Sequence, residues 1–552
     1  MWRCFSVTFS LLSGRQVVPK GAGRRTDLEI ARRRSYPFHI ARTTYKYRGV
    51  EMKYGHHDIH AAVESSGGWY DNRPVHRSRR DNHYSVGGRY VKSLLQRLMM
   101  ACAICAIAPQ MLLADAASPV ATSADPGAST PQTGRLTLKE LDERFGWRGW
   151  NIPFFSYANT LTQDTDGWRS TLAQYGIGFL ALDLAAFSVN MLNTPLTNPK
   201  GQQTYWGQRG SVNSQFAMFL TFDLSRYGIP DGQIQIGSDL VNSTWHPYIP
   251  TNYGFYRLAY YQSFFDRKVE LNVGYLSNAQ TFVGIYVGGQ MQNPFGPSSS
   301  IPIQLGLSAV LATQPTLSLK YNMTENLYNH FGVARSLSPT ASVIYDSVRL
   351  NPVGLDFDLA GARALYIDEI GYKQVAKPNK PYTWFRAGGI YNSSLFKNYD
   401  TGGRSTNSGF YALFDRQFVQ FEPTSSTAAH RGIYGGVSFM YAPPQTNIFS
   451  QYYEARLYSF GLFDSRPNDM ISLVYQHNVL SSYYADATNR TAVTTGTYAR
   501  HASNSITTSY LWKFRPGLSL TVGATYTDNP SVTYTKGQGH AFNFLASTFI
   551  AF

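Results

Sequence analysis

Eight ionisable side chains stand out because each falls on the polar phase of a stretch that alternates apolar and polar residues: Asp183, Asp239, Arg257, Glu270, Asp356, Asp358, Glu454 and Arg456. Carboxylates accept hydrogen bonds and guanidinium groups donate several at once. Both signs lining one passage would order water and bind a polar solute without favouring anions or cations. Trp206, Trp245 and Tyr248, with His246 beside them, fall in expected loops. Flat rings there can stack on a solute or anchor the chain at an interface.

Catalysis is poorly supplied. The chain has no G-x-S-x-G, no H-E-x-x-H, no phosphate-binding loop and no cysteine framework for a metal. His56, His57 and His60 have a metal-like spacing, but they lie in a basic leading segment far from the patterned part of the chain. No catalytic residue, metal or cofactor is expected.

The elements that carry the ionisable residues have a period of two. Phe216, Met218, Leu220 and Phe222 alternate with Gln215, Ala217, Phe219 and Thr221. Val269, Leu271, Val273 and Tyr275 enclose Glu270, Asn272 and Gly274, and Leu355, Phe357 and Leu359 enclose Asp356 and Asp358. Leu518, Leu520, Val522, Ala524 and Tyr526 enclose Ser519, Thr521, Gly523 and Thr525. Successive side chains of a strand point to opposite faces, so the pattern predicts strands with one apolar and one polar face.

The habit runs through 177–552 with no second helical layer to cover a sheet. Aromatic residues crowd the strand ends, as at Tyr260-Tyr261 and Tyr510-Leu511-Trp512. No uninterrupted apolar run reaches the ~18–20 residues of a membrane helix. An all-β, transmembrane antiparallel β-barrel meets these conditions together, because closure leaves no unpaired edge in lipid. The chain stops on Phe552, after Phe542, Phe544, Ala546 and Ile550 on one strand face, with Thr548 breaking that face.

Residues 136–176 read as short helices ahead of the barrel. Thr137 and Glu140 form a capping box, and Leu138, Leu141 and Phe145 share one face. A second helix is expected over Asp166–Tyr175, with Asp166 as N-cap and Gly176 as its stop.

The net charge of +15 is concentrated at the front: residues 1–116 hold 19 of the 49 Lys and Arg but only 8 of the 34 Asp and Glu. The body is nearly neutral, which removes most of the support for a nucleic-acid face. Within the front, 91–116 reads as a secretory signal peptide, with Lys92 and Arg97, an apolar core from Leu98 to Leu113, and an A-x-A site ending at Ala116. Residues 1–90 then read as an extension from a mis-set start, and 117–135 as a flexible linker. Cys4, Cys102 and Cys105 all precede the cleavage site, leaving a cysteine-free body suited to an oxidising periplasm.

Several segments resemble the carbohydrate-selective porins of the OprB family. Gly167-Trp168-Arg169, Leu172 and Tyr175-Gly176-Ile177-Gly178-Phe179 resemble that family's entry into its first strand. Tyr256 to Phe282 is similar to its early hairpin, Gly461 to Asp469 to its Gly…Arg-Pro-x-Asp turn, and Ser505 to Pro530 to its late hairpin ending in Asn-Pro. The resemblance covers roughly 136–552 and rests on the order and joint presence of these motifs. Family members tend to carry acidic residues before the late Tyr-rich strand, where this chain has Asn504 and Ser505, so the preferred solute stays open.

The resemblance implies a barrel of about sixteen strands around an aqueous lumen. It implies passive, carbohydrate-selective diffusion of mono- and oligosaccharides across the outer membrane of a Gram-negative bacterium. The eight ionisable residues then become pore-lining and sugar-contacting candidates, and Trp206, Trp245 and Tyr248 candidates for stacking on sugar rings. Expected partners are small sugars, outer-membrane lipid and lipopolysaccharide, and the barrel-assembly machinery reading Phe552, with the protein acting as a monomer or homotrimer and reaching the membrane through the general secretory pathway. The competing reading is an outer-membrane barrel with enzymatic or adhesive external loops.

Overall fold

The computed structural model describes residues 134–151, 154–192, 210–244, 251–284, 300–309, 311–340, 344–530, 532–534 and 539–552. The expected leader (1–90 and 91–116) and nearly all of the expected linker lie outside the described residues.

Sixteen strands among the described residues close into one antiparallel barrel. They are β1 Ile177–Asn190, β2 Gly210–Asp223, β3 Gln233–Ser243, β4 Asn252–Phe264 and β5 Val269–Leu276. Next come β6 Gln314–Asn322, β7 Leu327–Arg335, β8 Ala364–Gln374, β9 Thr383–Lys397 and β10 Arg404–Gln420. The last six are β11 Gly432–Tyr441, β12 Phe449–Phe460, β13 Met470–Leu480, β14 Ala502–Arg515, β15 Leu518–Asp528 and β16 His540–Ala551. Each strand pairs with its sequence neighbours, and β1 closes the ring on β16 with Leu182 opposite Ala551. Every strand therefore has a partner on both sides, which is the condition for sheet to persist in a hydrocarbon layer.

Alternation decides which face is which. On β15, Leu520, Val522, Ala524 and Tyr526 point out, while Thr521, Thr525 and Thr527 are buried inside. The outer face carries exposed Phe216, Met218, Leu317, Phe331, Ile370, Phe410, Leu473 and Phe544. The inner face is polar, with hydroxyls meeting across strands, as in Thr507–Thr525 at 2.7 Å and Ser472–Ser509 at 2.6 Å. The expected strand around Asp356 and Asp358 does not form. Leu355 to Leu359 is a loop between β7 and β8, because Asn351 folds the chain back: its side-chain oxygen accepts from the amides of Gly354 and Asp356 at 3.1 and 3.2 Å.

The tightest connection joins β14 to β15 through Pro516 and Gly517. Gly517 has φ +74°, and a Cβ there would lie 2.2 Å from the Leu161 amide nitrogen, so only glycine fits. That contact marks the barrel end where β1 begins and β16 stops, and where the N-terminal segment docks: the Leu161 amide donates to the Ala551 carbonyl at 2.7 Å.

The N-terminal segment sits on the inner wall. Helix α1, Leu138–Phe145, has both halves of the expected capping box. Its buried Leu141 and Phe145 pack with Leu180, Ala217 and Phe219 of β1 and β2. Arg144 pairs with Asp223 at 2.9 Å. The second helix, α2, spans Trp168–Gln174, two residues later than expected. Asp166 is not its cap. It has φ +57°, and Asp164 does the capping, accepting from the amides of Arg169 and Ser170 at 2.8 and 3.2 Å.

Candidate functional site

In the longest connection of the barrel, between β5 and β6, the described residues 277–284 and 300–309 lie inward of the wall. Ser277, Asn278, Ala279, Phe282, Val283, Leu305 and Leu307 are buried. Polar side chains from distant strands hold its backbone. Arg386 on β9 donates through Nε to the Val283 carbonyl at 2.6 Å and through Nη2 to that of Gly284. Asn392, also on β9, donates to the Leu305 carbonyl at 2.8 Å. Gln304 accepts from the amides of Ile448 and Phe449, before and at the start of β12, at 2.7 and 2.9 Å. Phe282 stacks on His330 of β7 with centroids 4.2 Å apart. Residues 277–284, gripped from β7 and β9, and residues 300–309, gripped from β9 and the start of β12, thus occupy the interior.

The N-terminal segment meets them there. The Asn151 amide donates to the Gln280 carbonyl at 3.3 Å, and its side chain donates to the Phe282 carbonyl and, at 2.6 Å, to Glu369 on β8. Glu369 also accepts from Tyr328 at 2.9 Å and Tyr411 at 2.6 Å. Three neutral donors thus satisfy this buried carboxylate. Trp147, Trp150, Phe154, Phe219 and Tyr256 form an aromatic group nearby, with Trp147 and Phe219 centroids 5.0 Å apart.

The anticipated residues divide. Glu454 and Arg456 come together inside the barrel with Asp415, which sequence reading missed. Arg456 donates to both Asp415 oxygens, to Ser438 at 2.7 Å, and to Glu454. Asp239 faces inward and accepts from Gln215 at 2.7 Å. Arg257 faces inward, pairs with Asn272 and lies with its Cζ 5.7 Å from the Trp147 ring centre. Glu270 faces inward too, but accepts from Tyr261 at 3.0 Å and Asn322 at 2.9 Å. Arg257 and Glu270, expected to share one zone of the lumen, bond to different residues. Glu270 lies opposite Ser263 and Tyr275 opposite Leu258, which sets the two backbones about six residues apart along the hairpin, but the Arg257 side chain reaches back to Asn272, the next inward-facing residue after Glu270 on β5.

Two further expectations are corrected. Asp183 is on the outer face, opposite Phe216 on β2 and Ile550 on β16, in phase with exposed Phe187. Asp356 and Asp358 are exposed on the β7–β8 loop rather than on a strand wall. Trp206, Trp245, His246 and Tyr248 lie outside the described residues.

The inner wall also carries a register row unseen in the sequence. Glu270, Lys320, His330 and Glu369 are successive cross-strand neighbours on β5 to β8. A polar lumen with both signs of charge, narrowed by chain segments pinned inside it, can admit small hydroxyl-rich solutes and dehydrate them against fixed donors and acceptors.

Known proteins resemble the chain to different degrees. A high-pH structure of Pseudomonas putida OprB superposes with a TM-score of 0.60 at 15% identity, covering 72% of this chain and 100% of that one. A low-pH structure of the same protein has the same identity and coverage with a TM-score of 0.45, and a mutant of Rh. blastica porin gives 0.38 at 7% identity over 68% of this chain and 100% of that one. No curated protein matches the chain. The sequence pattern of the carbohydrate-selective porins, OprB family, matches residues 253–549, more than half of the chain and all but the first three strands of the barrel. With a closed barrel, a polar interior and that match, the chain belongs to the OprB family of carbohydrate-selective porins, passive channels of the bacterial outer membrane.

Proposed function

We propose that sugars are selected where residues 277–284 and 300–309 fill part of the lumen, and that Arg257, Glu369, Arg386, Asp415, Glu454 and Arg456 supply the fixed polar groups around the passing solute. The observation that carries this reading is the grip on 277–284 and 300–309 by side chains from β7 and β9 and the Gln304 contact before β12. Such anchoring keeps the backbone from collapsing onto the wall, so the narrow zone has a fixed bore. Diffusion is passive and runs down the gradient, with hydroxyls exchanging water for wall donors and acceptors. Asp239 and Glu270 extend the polar path toward either end of the lumen.

The remaining parts of the reading concern delivery. Residues 91–116 act as the signal peptide and Ala117 begins the secreted form, through the general secretory pathway. Phe552, at the end of an outward-facing Phe542, Phe544, Ala546 and Ile550 series, is the residue offered to the assembly machinery. Single-channel recording with a panel of sugars as blockers tests the selective zone. Concentration-dependent block that weakens in Arg257→Ala and Glu454→Gln supports it, and block unchanged in both variants refutes it.

A further inference from the structure

The inner wall between β6 and β9 holds two lysines that the neutral-sugar reading does not use, beside an arginine that it does. Lys320 Nζ lies 4.3 Å from the Tyr328 ring centre, and Lys373 Nζ lies 4.2 Å from that of Trp384. Arg386 Cζ lies 3.8 Å from the same Trp384 ring. Trp384 Nε1 donates to Tyr328 Oη at 3.3 Å, which ties the two aromatic platforms together. Lys320 and Lys373 are near the ends of β6 and β8 on the side of the barrel where the N-terminal segment docks, and both are partly exposed.

These charges have donors to spare. Among the described residues, neither lysine has a carboxylate or carbonyl partner; each has only a ring face. Arg386 Nη1 is buried without a hydrogen-bond partner. The two carboxylates at hand already have other partners: Glu369 accepts from Asn151, Tyr328 and Tyr411, and Glu270, opposite Lys320, accepts from Tyr261 and Asn322. The contrast with Arg456 is direct: its charge is met by Asp415 and Glu454, with Ser438 as a third partner. Cations held over rings keep their charge and their outward N–H groups available.

We propose that Lys320 and Lys373, backed by Arg386, form a subsite for the carboxylate of an acidic sugar. This rests on the channel reading above and names a substrate class for it. The carboxylate sits between the two ammonium groups and takes charge-assisted hydrogen bonds from both. The neutral remainder of the sugar stays with residues 277–284 and 300–309.

The test is current block in planar bilayers by D-glucuronate and by D-glucose, using wild type and a Lys320→Gln/Lys373→Gln double variant. In wild type, glucuronate should block at lower concentration than glucose. In the double variant glucuronate block should weaken about tenfold, the loss expected for one charge-assisted hydrogen bond or more, while glucose block holds. Lys373→Arg, which keeps the charge and disturbs the wall least, should retain most of the glucuronate block. Glucuronate no tighter than glucose in wild type, or equally tight in wild type and the double variant, overturns the subsite and leaves the channel standing. A folded protein that gives no conductance at all overturns both.

Discussion

Arg456 and Asp415 form a two-pronged ion pair inside the barrel: Nε and Nη2 donate to the two carboxylate oxygens at 2.8 and 2.6 Å, and neither side chain is exposed. Removing one partner leaves the other buried and uncompensated. Asp415→Ala should therefore destabilise the folded barrel by about 3–5 kcal/mol, nearer the low end because Glu454 still holds Arg456. Guanidinium unfolding in detergent micelles measures the loss. A change below about 1 kcal/mol, the scale of an exposed pair, would mean that the pair is well solvated.

The two faces of β15 give a second prediction. Val522 faces outward opposite Tyr510 and Ala546, and Thr521 faces inward beside Leu511 and Ser547. Val522→Arg should cost ~2–4 kcal/mol near the middle of the membrane. Thr521→Arg should leave a folded barrel with altered conductance. Equal destabilisation at both sites, by the same unfolding assay, would contradict the assignment of faces.

Much of the barrel was legible because alternation is local. Val269 to Tyr275 and Leu518 to Tyr526 carry their facing in a few consecutive residues. Asp183 was misjudged because β1 is apolar on both faces: Leu180 and Leu182 point in, where they pack with the N-terminal helix group, and Phe187 points out. No strand-level pattern reveals that a distant helix will cover the inner wall. The Leu-Asp-Phe-Asp-Leu run at 355–359 imitates a strand, but the turn set by Asn351 and Gly354 overrides it. Glu369 follows a second acid, Asp368, which hides its phase, Arg386 sits among apolar residues, and Asp415 meets Arg456 across 41 residues, so their roles appear only when the barrel closes.

Arg257 and Glu270 lead to a third prediction. Because they have separate partners, Asn272 for Arg257 and Tyr261 and Asn322 for Glu270, their effects on ion selectivity should be opposite in sign and near additive. Arg257→Ala should move the reversal potential in a salt gradient toward cation preference and Glu270→Ala toward anion preference, with the double variant at the sum. A double variant that departs strongly from the sum would indicate direct coupling between the two.

The N-terminal helix supplies a pH prediction. Glu140 accepts from the Thr137 amide at 2.7 Å, and this hydrogen bond, with that from the Thr137 hydroxyl, holds its carboxyl below the ordinary value of 4.5. A depressed acid stabilises the fold while ionised. The contribution of the capping box should be complete above pH 4.5 and disappear as pH falls through the lowered value. Protease cleavage near α1 should rise on acidification in wild type, and Glu140→Gln should flatten that response. The same acid response in both proteins would assign it to another group.

Residues 277–284 and 300–309, pinned inside the lumen, set the size limit for sugars in this reading. The most direct test is liposome swelling with a mono-, a di- and a trisaccharide, comparing wild type with an Arg386→Ala/Asn392→Ala variant that releases two anchors of these residues. The account predicts that wild type passes the monosaccharide well and larger sugars steeply less, and that the variant passes the larger sugars several-fold faster. Identical size dependence in the two proteins, with both barrels folded, would contradict it.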